Sequence, residues 1–210
     1  MGALNGGITA TAYYVEGELP KDFRESFITA LEARRFRDID VDSDQEESLG
    51  WVDMRDPFET ELDLERVLWG NYLQLGMRQD TLRVPGAVFK LHLQRAVRLE
   101  SNRLGKERLT RAEEDEVRDR LEKELRRRIL PSIRSYDLVW NIDRGEAWFF
   151  TSNKRMNEIF QDFFTETFGM VLIPRNVYSQ LERAGMTTED LERAAMLEPT
   201  VFAIPPDLRR

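Results

Sequence analysis

An apolar residue occurs at every fourth position from Val117 to Ile129, and this spacing predicts a helix in the middle of the chain. Charged residues separate the members of this stripe, so only one narrow face of the helix is apolar. The segment from Thr110 to Glu113 (TRAE) has the spacing of a capping box, in which the Thr and Glu side chains satisfy free backbone amides. Pro131 follows, where it stops a helix. We therefore predict a helix from about residue 110 to residue 130.

A second helical segment precedes this one. Over residues 84–102, four apolar residues fall near one side of a helix: Val88, Leu91, Ala96 and Leu99. The sequence Leu104-Gly105-Lys106 interrupts the pattern. Two consecutive helices with a short polar break are typical of an antiparallel helical hairpin.

On both sides of this hairpin the apolar period changes to two, which is typical of strands. We predict strands over residues 8–15, 49–54, 68–79, 136–143, 146–151 and 170–173. Arg144-Gly145 predicts the turn of a β-hairpin. Further helices are predicted over residues 18–35, 152–168 (capped by Ser152), 177–183 and 187–197, with an extended tail behind them. The large aromatic residues of these segments are interpreted as sheet and core residues: Trp51, Trp69, Trp140, Trp148, Phe149 and Phe150.

This order of elements predicts an α+β fold, with layered antiparallel or mixed sheets, helices and a protruding basic helical hairpin. We divide the chain into an N-terminal α+β lobe (1–83), the hairpin as an insertion (84–130) and a C-terminal α+β lobe (131–210). The two lobes are expected to pack into one core.

Charge is distributed unevenly along the chain. The formal net charge is -8, yet the stretch from Arg78 to Arg134 contains 16 of the 31 Lys and Arg residues and only 10 of the 39 Asp and Glu residues. That stretch has a local net charge of +6, and the rest of the chain has -14. Such asymmetry points to a polyanionic partner, whereas the mean charge bears only on solubility.

The residue inventory argues against an enzyme. There is no cysteine and His92 is the only histidine, so neither a zinc site nor a histidine-based triad can form. Asp40, Asp42 and Asp44 resemble the start of a calcium loop, but the Gly and Glu that such a loop requires are absent. We expect no cofactor, no metal and no small-molecule substrate, and we do not favour a magnesium-dependent nuclease. The absence of a signal-peptide pattern and of long apolar stretches predicts a cytoplasmic protein with no membrane contact.

The hairpin carries most of the candidate DNA contacts. Its first helix places Lys90, Gln94, Arg98 and Asn102 at intervals of four. The turn adds Arg103, Lys106, Arg108 and Arg111, and the second helix adds Arg120, Lys123 and Arg127. Such a surface can follow a phosphate backbone without reading bases, and duplex DNA fits it better than a single strand. Two other interpretations stay open, a solvated hairpin held by ion pairs between its own side chains and a docking surface for an acidic partner.

A second candidate lies at the predicted start of the helix over residues 152–168. Lys154 and Arg155 occupy its first turn, where the helix dipole disfavours cations. Together with the free amides of a helix N-terminus, these side chains can hold a phosphate. The alternative is that both are simply exposed, at a small cost in stability.

The order of these elements resembles that of the bacterial recombination-associated protein RdgC family over residues 8–184. The matching motifs are the Gly50-Trp51-Val52 strand, Leu130-Pro131 after the second helix, and Trp140-Asn-Ile-Asp143 in the β-hairpin. The resemblance implies a homodimer that encircles duplex DNA without sequence specificity and limits access of the RecA recombinase. It also implies a basic fingertip at Arg103, Lys106, Arg108 and Arg111, and a basic pair at Lys154 and Arg155.

Two departures from the family bear on the ring. Arg134 stands where the family has an aromatic residue, and the chain ends before a C-terminal region that helps to complete the ring. An open dimer, or assembly with a different symmetry, is therefore an alternative. The expected function is nucleoid-associated, non-enzymatic binding of DNA that modulates homologous recombination. The alternative is a protein-interaction module that uses the charged hairpin without binding DNA.

Overall fold

The structure, a computed structural model, describes residue 3 and residues 8–197. Within this part of the chain there are seven strands and seven helices. The strands are β1 (Thr11–Glu16), β2 (Glu47–Val52), β3 (Leu68–Trp69), β4 (Tyr72–Thr81), β5 (Ser132–Asn141), β6 (Glu146–Phe149) and β7 (Val171–Pro174). The helices are α1 (Phe23–Ala33), α2 (Leu64–Val67), α3 (Gly86–Leu104), α4 (Arg111–Arg126), α5 (Lys154–Phe168), α6 (Val177–Arg183) and α7 (Thr188–Ala195).

All seven described strands join one antiparallel sheet in the order β2-β4-β5-β6-β1-β7, and β3 pairs with the start of β4. The longest ladder joins β4 to β5 over ten residue pairs, from Tyr72 with Asn141 to Thr81 with Ser132. This ladder connects the segments on either side of the hairpin, because β4 leads into α3 and β5 follows α4. The predicted α+β class is confirmed.

One face of the sheet holds the main core beneath α1 and α5. Alternate residues of β4 point towards this core, and Leu73, Leu75 and Met77 are completely buried. The helices contribute aromatic rings, such as Phe164 of α5, whose centroid lies 5.2 Å from that of Trp140 on β5. Such rings bury large apolar areas in edge-to-face and offset arrangements, which stabilises the packing of helix on sheet.

The opposite face of β4 buries a charged pair. Arg78 and Asp80 form a two-point ion pair, with Nε–Oδ1 and Nη2–Oδ2 distances of 2.8 and 2.6 Å, and are only 4% and 1% exposed. The Arg78 guanidinium also lies 4.0 Å from the ring centroid of Phe36 and 5.0 Å from that of Phe58. Gly50 on β2 allows the backbone at Phe36 to approach the sheet this closely, because a Cβ at Gly50 would lie 2.2 Å from the Phe36 Cα.

The single strand predicted over residues 68–79 is wrong. The chain forms β3, turns at Gly70 and Asn71, and returns as β4, with Trp69 paired to Tyr72. Gly70 has a φ of +60°, a conformation that glycine adopts without the steric cost of a side chain. A two-residue turn hardly interrupts an alternating apolar pattern, so the pattern reads as one strand. Trp69 is exposed here and does not belong to the core.

Several boundaries also differ from the predictions. Asn153 caps α5 in place of Ser152, because its side chain accepts the Met156 amide at 3.0 Å. Helix α1 begins at Phe23, after a turn in which the Phe23 amide donates to the Pro20 carbonyl. The short helix α2 was not predicted. The predicted extended tail after residue 197 lies outside the described residues.

None of the helices in the described ranges has the length and apolar character needed to cross a membrane.

Candidate nucleic-acid interface

The predicted hairpin is formed by α3, of 19 residues, and α4, of 16 residues. Gly105 ends α3 in the left-handed conformation, with a φ of +63°, as the sequence break suggested. The Ser101 hydroxyl then donates to the Lys106 carbonyl at 2.6 Å, which fixes the path of the turn. At about 1.5 Å per residue, α3 is about 28 Å long, comparable to several base pairs of duplex.

The two helices pack through a different side of α3 from the one we predicted. Val117, Leu121 and Leu125 of α4 are buried, as their spacing indicates. Facing them on α3 is a partly buried row that comprises Phe89, Leu93, Ala96 and Val97. Of the four residues predicted to share the packed side, only Ala96 belongs to this row.

The other three residues lie on the outside of α3. Leu91 is 68% exposed and Leu99 is 59% exposed, and Val88 is also exposed. Apolar residues at helical spacing indicate that a helix has an apolar side. On α3, however, two overlapping apolar rows could each form the side that packs. Contact with α4 selects one row, and the sequence of α3 alone does not show which.

The predicted capping box at the start of α4 is confirmed. The Thr110 hydroxyl accepts the Glu113 amide, and the Glu113 carboxylate accepts the Thr110 amide at 2.8 Å. The Lys106 ammonium donates to the same carboxylate at 2.5 Å. The Lys106 hydrogen bond, followed by those from Thr110, lowers the pKa of Glu113 to about 2. The charge of Lys106 is therefore paired with Glu113, and this pair helps to order the turn.

Two further predicted DNA contacts share one carboxylate. Arg103 lies 2.6 Å from a Glu100 oxygen, and Arg120 reaches across from α4 to the other oxygen at 3.3 Å. The hydrogen bond from Arg103 is the main cause of a lowered pKa at Glu100. Both arginines remain largely exposed. These contacts stabilise the pairing of the helices and reduce the positive charge on this flank.

The end of α4 near the sheet lies against an acidic segment, residues 38–46. Arg127 pairs with Asp42 at 2.7 Å, and Arg126 donates to the Gln45 carbonyl at 2.7 Å. The segment lines a cavity of about 380 Å³ together with Lys123 and carboxylates of α4. The acidic segment is largely exposed to solvent, yet it pairs with Arg127 and hydrogen-bonds Arg126 at this end of α4.

Charge consequently divides along the hairpin. Residues 84–111 contain seven Lys and Arg residues and two Asp and Glu residues, whereas residues 112–130 contain six and seven. Within the described chain, no carboxylate lies within ion-pair distance of the following exposed cations: Lys90, Arg95, Arg98, Arg108 and Arg111. Arg118 and Lys123 of α4 are also exposed without such a partner among the described residues, but they lie on the helix that carries most of the hairpin's carboxylates. The available positive charge is thus concentrated on α3, the turn and the first residue of α4.

Arg95 was absent from the predicted set. It lies on the outer side of α3, between Leu91, four residues before it, and Leu99, four residues after it. The polar series that runs in steps of four from Lys90 does not include Arg95. The assignment of the packed face identifies Arg95, since an arginine opposite Leu93 must face solvent.

The second predicted site lies on the sheet, at the start of α5. Arg155 is exposed and lines a cavity of about 310 Å³ that also includes Arg134, Glu47 and Ser132. Lys154 points to solvent with Glu158 at 4.0 Å. The structure therefore places Arg134, which the sequence marked only as a departure from the RdgC family, beside Arg155.

Comparison of the chain with models of known protein families and with curated proteins finds no match. Among the described side chains, no cluster of three or more His, Asp or Glu residues is arranged to hold a metal ion.

Proposed function

We propose that this protein binds the phosphate backbone of duplex DNA without sequence specificity, through α3 and the turn that follows it. The observation that carries the proposal is the set of five exposed cations between Lys90 and Arg111, the first residue of α4, with no carboxylate partner among the described residues. Each can neutralise a phosphate and release a counterion, which favours binding regardless of base sequence. The helix side chains approach the backbone from one rigid element, so several contacts form together.

The paired arginines on the flank add to this surface. Exposed ion pairs contribute about 0–1 kcal/mol, so a phosphate can displace the carboxylate at little cost. Arg103 and Arg120 are 66% and 64% exposed although both contact Glu100. The tip residue Lys106 is held more firmly, because its partner Glu113 also caps α4.

Occupancy of DNA is the proposed mode of action. A homodimer that covers duplex DNA limits the access of recombinase and so modulates homologous recombination in the nucleoid. This part of the proposal rests on the resemblance to the RdgC family, whose order of strands and basic hairpin the predicted elements follow. The protein needs no catalytic group, cofactor or metal for such a role.

A charge-reversal experiment tests the proposed surface. We expect Arg95→Glu with Arg98→Glu to weaken duplex binding by about tenfold or more at low salt, because two phosphate contacts become repulsive. Arg24→Glu with Arg193→Glu, on α1 and α7, changes the net charge equally and serves as the control. Equal loss of affinity in both double variants would show that net charge, and not α3, governs binding.

The salt dependence provides an independent measure of the same contact. If each of the five free cations meets one phosphate, the log-log slope of affinity against salt is about -4.5. The Arg95 and Arg98 reversal should make the slope shallower by roughly two. A slope near zero for the wild type would refute phosphate binding.

The apolar row on the outside of α3 favours a second candidate function, a protein-interaction module. Leu91 and Leu99 have no counterpart in phosphate recognition, and exposed apolar rows flanked by charge are typical of docking surfaces. Leu91→Gln with Leu99→Gln separates the two candidates. DNA binding should survive this change, whereas docking of an acidic protein should not. Competition by heparin but not by duplex DNA would also favour docking.

A further inference from the structure

An exposed aromatic pair lies at the β3–β4 turn, away from the hairpin. Trp69 and Tyr72 are directly opposite each other across the turn, so their side chains share one face of the sheet. They are 52% and 41% exposed. Large aromatic side chains with this exposure are common in binding sites, where their apolar area becomes covered on contact with a ligand.

The indole of Trp69 is held in a defined orientation. Its Nε1 donates to the Arg66 carbonyl at 3.1 Å, and the Arg55 guanidinium lies 4.4 Å from the ring centroid. A stacking platform requires this kind of restraint, because an ordered ring loses little conformational entropy when a ligand settles on it. Half of the residue nevertheless remains accessible.

Polar groups adjoin the aromatic pair. Trp69 and Tyr72 line a cavity of about 430 Å³, to which the β5–β6 turn contributes Arg144. No described carboxylate lies within ion-pair distance of Arg144. Asp143, the one acidic residue of the lining, accepts a hydrogen bond from the Asn71 side-chain amide. The lining therefore combines two aromatic rings with one cation, Arg144, that forms no ion pair with a described carboxylate, and with one carboxylate, Asp143, that is engaged by the Asn71 amide.

We propose that this turn binds an unpaired nucleotide, with the base stacked on Trp69 and Tyr72 and the phosphate held by Arg144. Aromatic rings beside cations are the means by which proteins bind single-stranded nucleic acid without sequence preference. A sugar would also stack on an indole, but it recognises its site through free carboxylate and amide groups, and here the Asn71 amide and one oxygen of Asp143 already bond to each other.

This site goes beyond the proposed function and does not rest on it. Tyr72 begins β4, and the other end of the ten-residue strand leads to α3. At about 3.3 Å per residue, the turn and the hairpin base are about 30 Å apart, so a short oligonucleotide cannot contact both. Failure at one site therefore leaves the other untouched.

Titration with tetrathymidylate, followed by tryptophan fluorescence, tests the proposal. Trp51 and Trp140 are buried, so contact at the turn should be reported mainly by Trp69. We expect saturable quenching in the wild type. In an anisotropy assay with the same labelled oligonucleotide, Trp69→Ala should raise Kd by about five- to a hundredfold, the range for loss of one stacked base. Arg144→Gln should raise Kd by a smaller factor.

Controls distinguish the alternatives. Trp148→Phe, on β6 outside this cavity, should preserve the quenching, as should the Arg95 and Arg98 reversal on α3. Circular dichroism should show that Trp69→Ala is folded. The proposal is overturned by an absence of quenching, by quenching that persists in Trp69→Ala, or by equal quenching with maltotriose, which would indicate a sugar. It is also overturned if Trp69→Ala abolishes self-association in sedimentation while oligonucleotide affinity stays the same.

Discussion

Arg78 illustrates how one residue changes its role between sequence and structure. In the charge count it belongs to the basic stretch, yet its guanidinium is buried against Asp80, Phe36 and Phe58. Its Nη1 also donates to the Pro57 carbonyl at 3.2 Å. The two rings supply cation–π contacts, and Asp80 supplies the compensating charge. Arg78 therefore ties the loops around residues 36 and 58 to the sheet and is not available to DNA.

Removal of the partner charge should destabilise the fold severely. Asp80→Asn leaves the buried Arg78 guanidinium with only the exposed Asp38 carboxylate, 3.8 Å away, and we expect a loss of about 3–5 kcal/mol in the free energy of unfolding. Urea denaturation measures this loss. The control is Glu46→Gln, which breaks the exposed pair with Arg83 at 2.9 Å and should cost less than about 1 kcal/mol. Similar costs for the two variants would contradict the burial argument.

Tyr13 makes a buried hydrogen bond in the main core. Its hydroxyl donates to the Asn157 side-chain oxygen at 2.6 Å, and burial raises its pKa to about 12. We expect Tyr13→Phe to cost about 1–3 kcal/mol, because the amide oxygen is left without its donor.

The pH dependence follows from the direction of the Tyr13 shift. The unfolded phenol ionises near pH 10 and the folded one near 12, so the stabilisation from the neutral form is complete below pH 10. It is lost as the pH rises from about 10 to about 12. Denaturant midpoints over this range should fall more steeply for the wild type than for Tyr13→Phe; parallel curves would contradict the assignment.

At the scale of elements, the α3–α4 turn depends on one carboxylate. Glu113 caps α4 and binds Lys106, and these hydrogen bonds hold its pKa near 2, well below its ordinary value. A lowered folded pKa gives stabilisation that is present above about pH 4.5 and lost as the pH falls towards 2. We expect the protection of the first-turn amides of α4, measured as the exchange rate relative to that of an unstructured amide at the same pH, to fall over this interval.

Glu113→Gln provides the comparison. The amide keeps a weaker cap but cannot titrate, so protection in this turn should be lower than in the wild type at neutral pH and nearly constant between pH 5 and about 2. Amides of α5, whose cap Asn153 does not titrate, serve as the internal reference. If the wild type and the variant share the same pH profile, another group controls the turn.

At the scale of the whole molecule, the negative and positive regions of the chain meet. The acidic segment over residues 38–46 covers the sheet end of α4, where Asp42 contacts Arg127 and Glu46 contacts Arg83 on the neighbouring chain segment. These carboxylates pair with cations that could otherwise contact phosphates. The contact therefore confines the proposed DNA surface to α3 and the turn, and its negative field opposes DNA approaching α4.

Neutralisation of the acidic segment should strengthen DNA binding. We expect Asp42→Asn with Asp44→Asn to lower Kd for duplex DNA by about threefold or more at low ionic strength, with a smaller effect as salt screens the field. Asp162→Asn with Glu192→Gln, on α5 and α7, removes the same charge elsewhere. Filter binding at two salt concentrations compares the pairs, and an equal gain in both would show that the location of the acidic segment is irrelevant.

The features that could be predicted from the sequence are those encoded within a few neighbouring residues. The apolar stripe of α4, its capping box, the Gly105 break and the period-two segments other than residues 68–79 each depend on local spacing, and each appears in the fold. The basic stretch around the hairpin is likewise a property of the sequence alone. The α+β class follows from the order of these local signals.

The features that could not be predicted depend on partners distant in the chain. Contact with α4 determines that Leu91 lies outside, and the return of β4 after Gly70 exposes Trp69. Docking of residues 38–46 determines which cations are neutralised. Periodicity states that a residue has a preferred side, whereas burial and charge pairing depend on what the tertiary fold brings against that side.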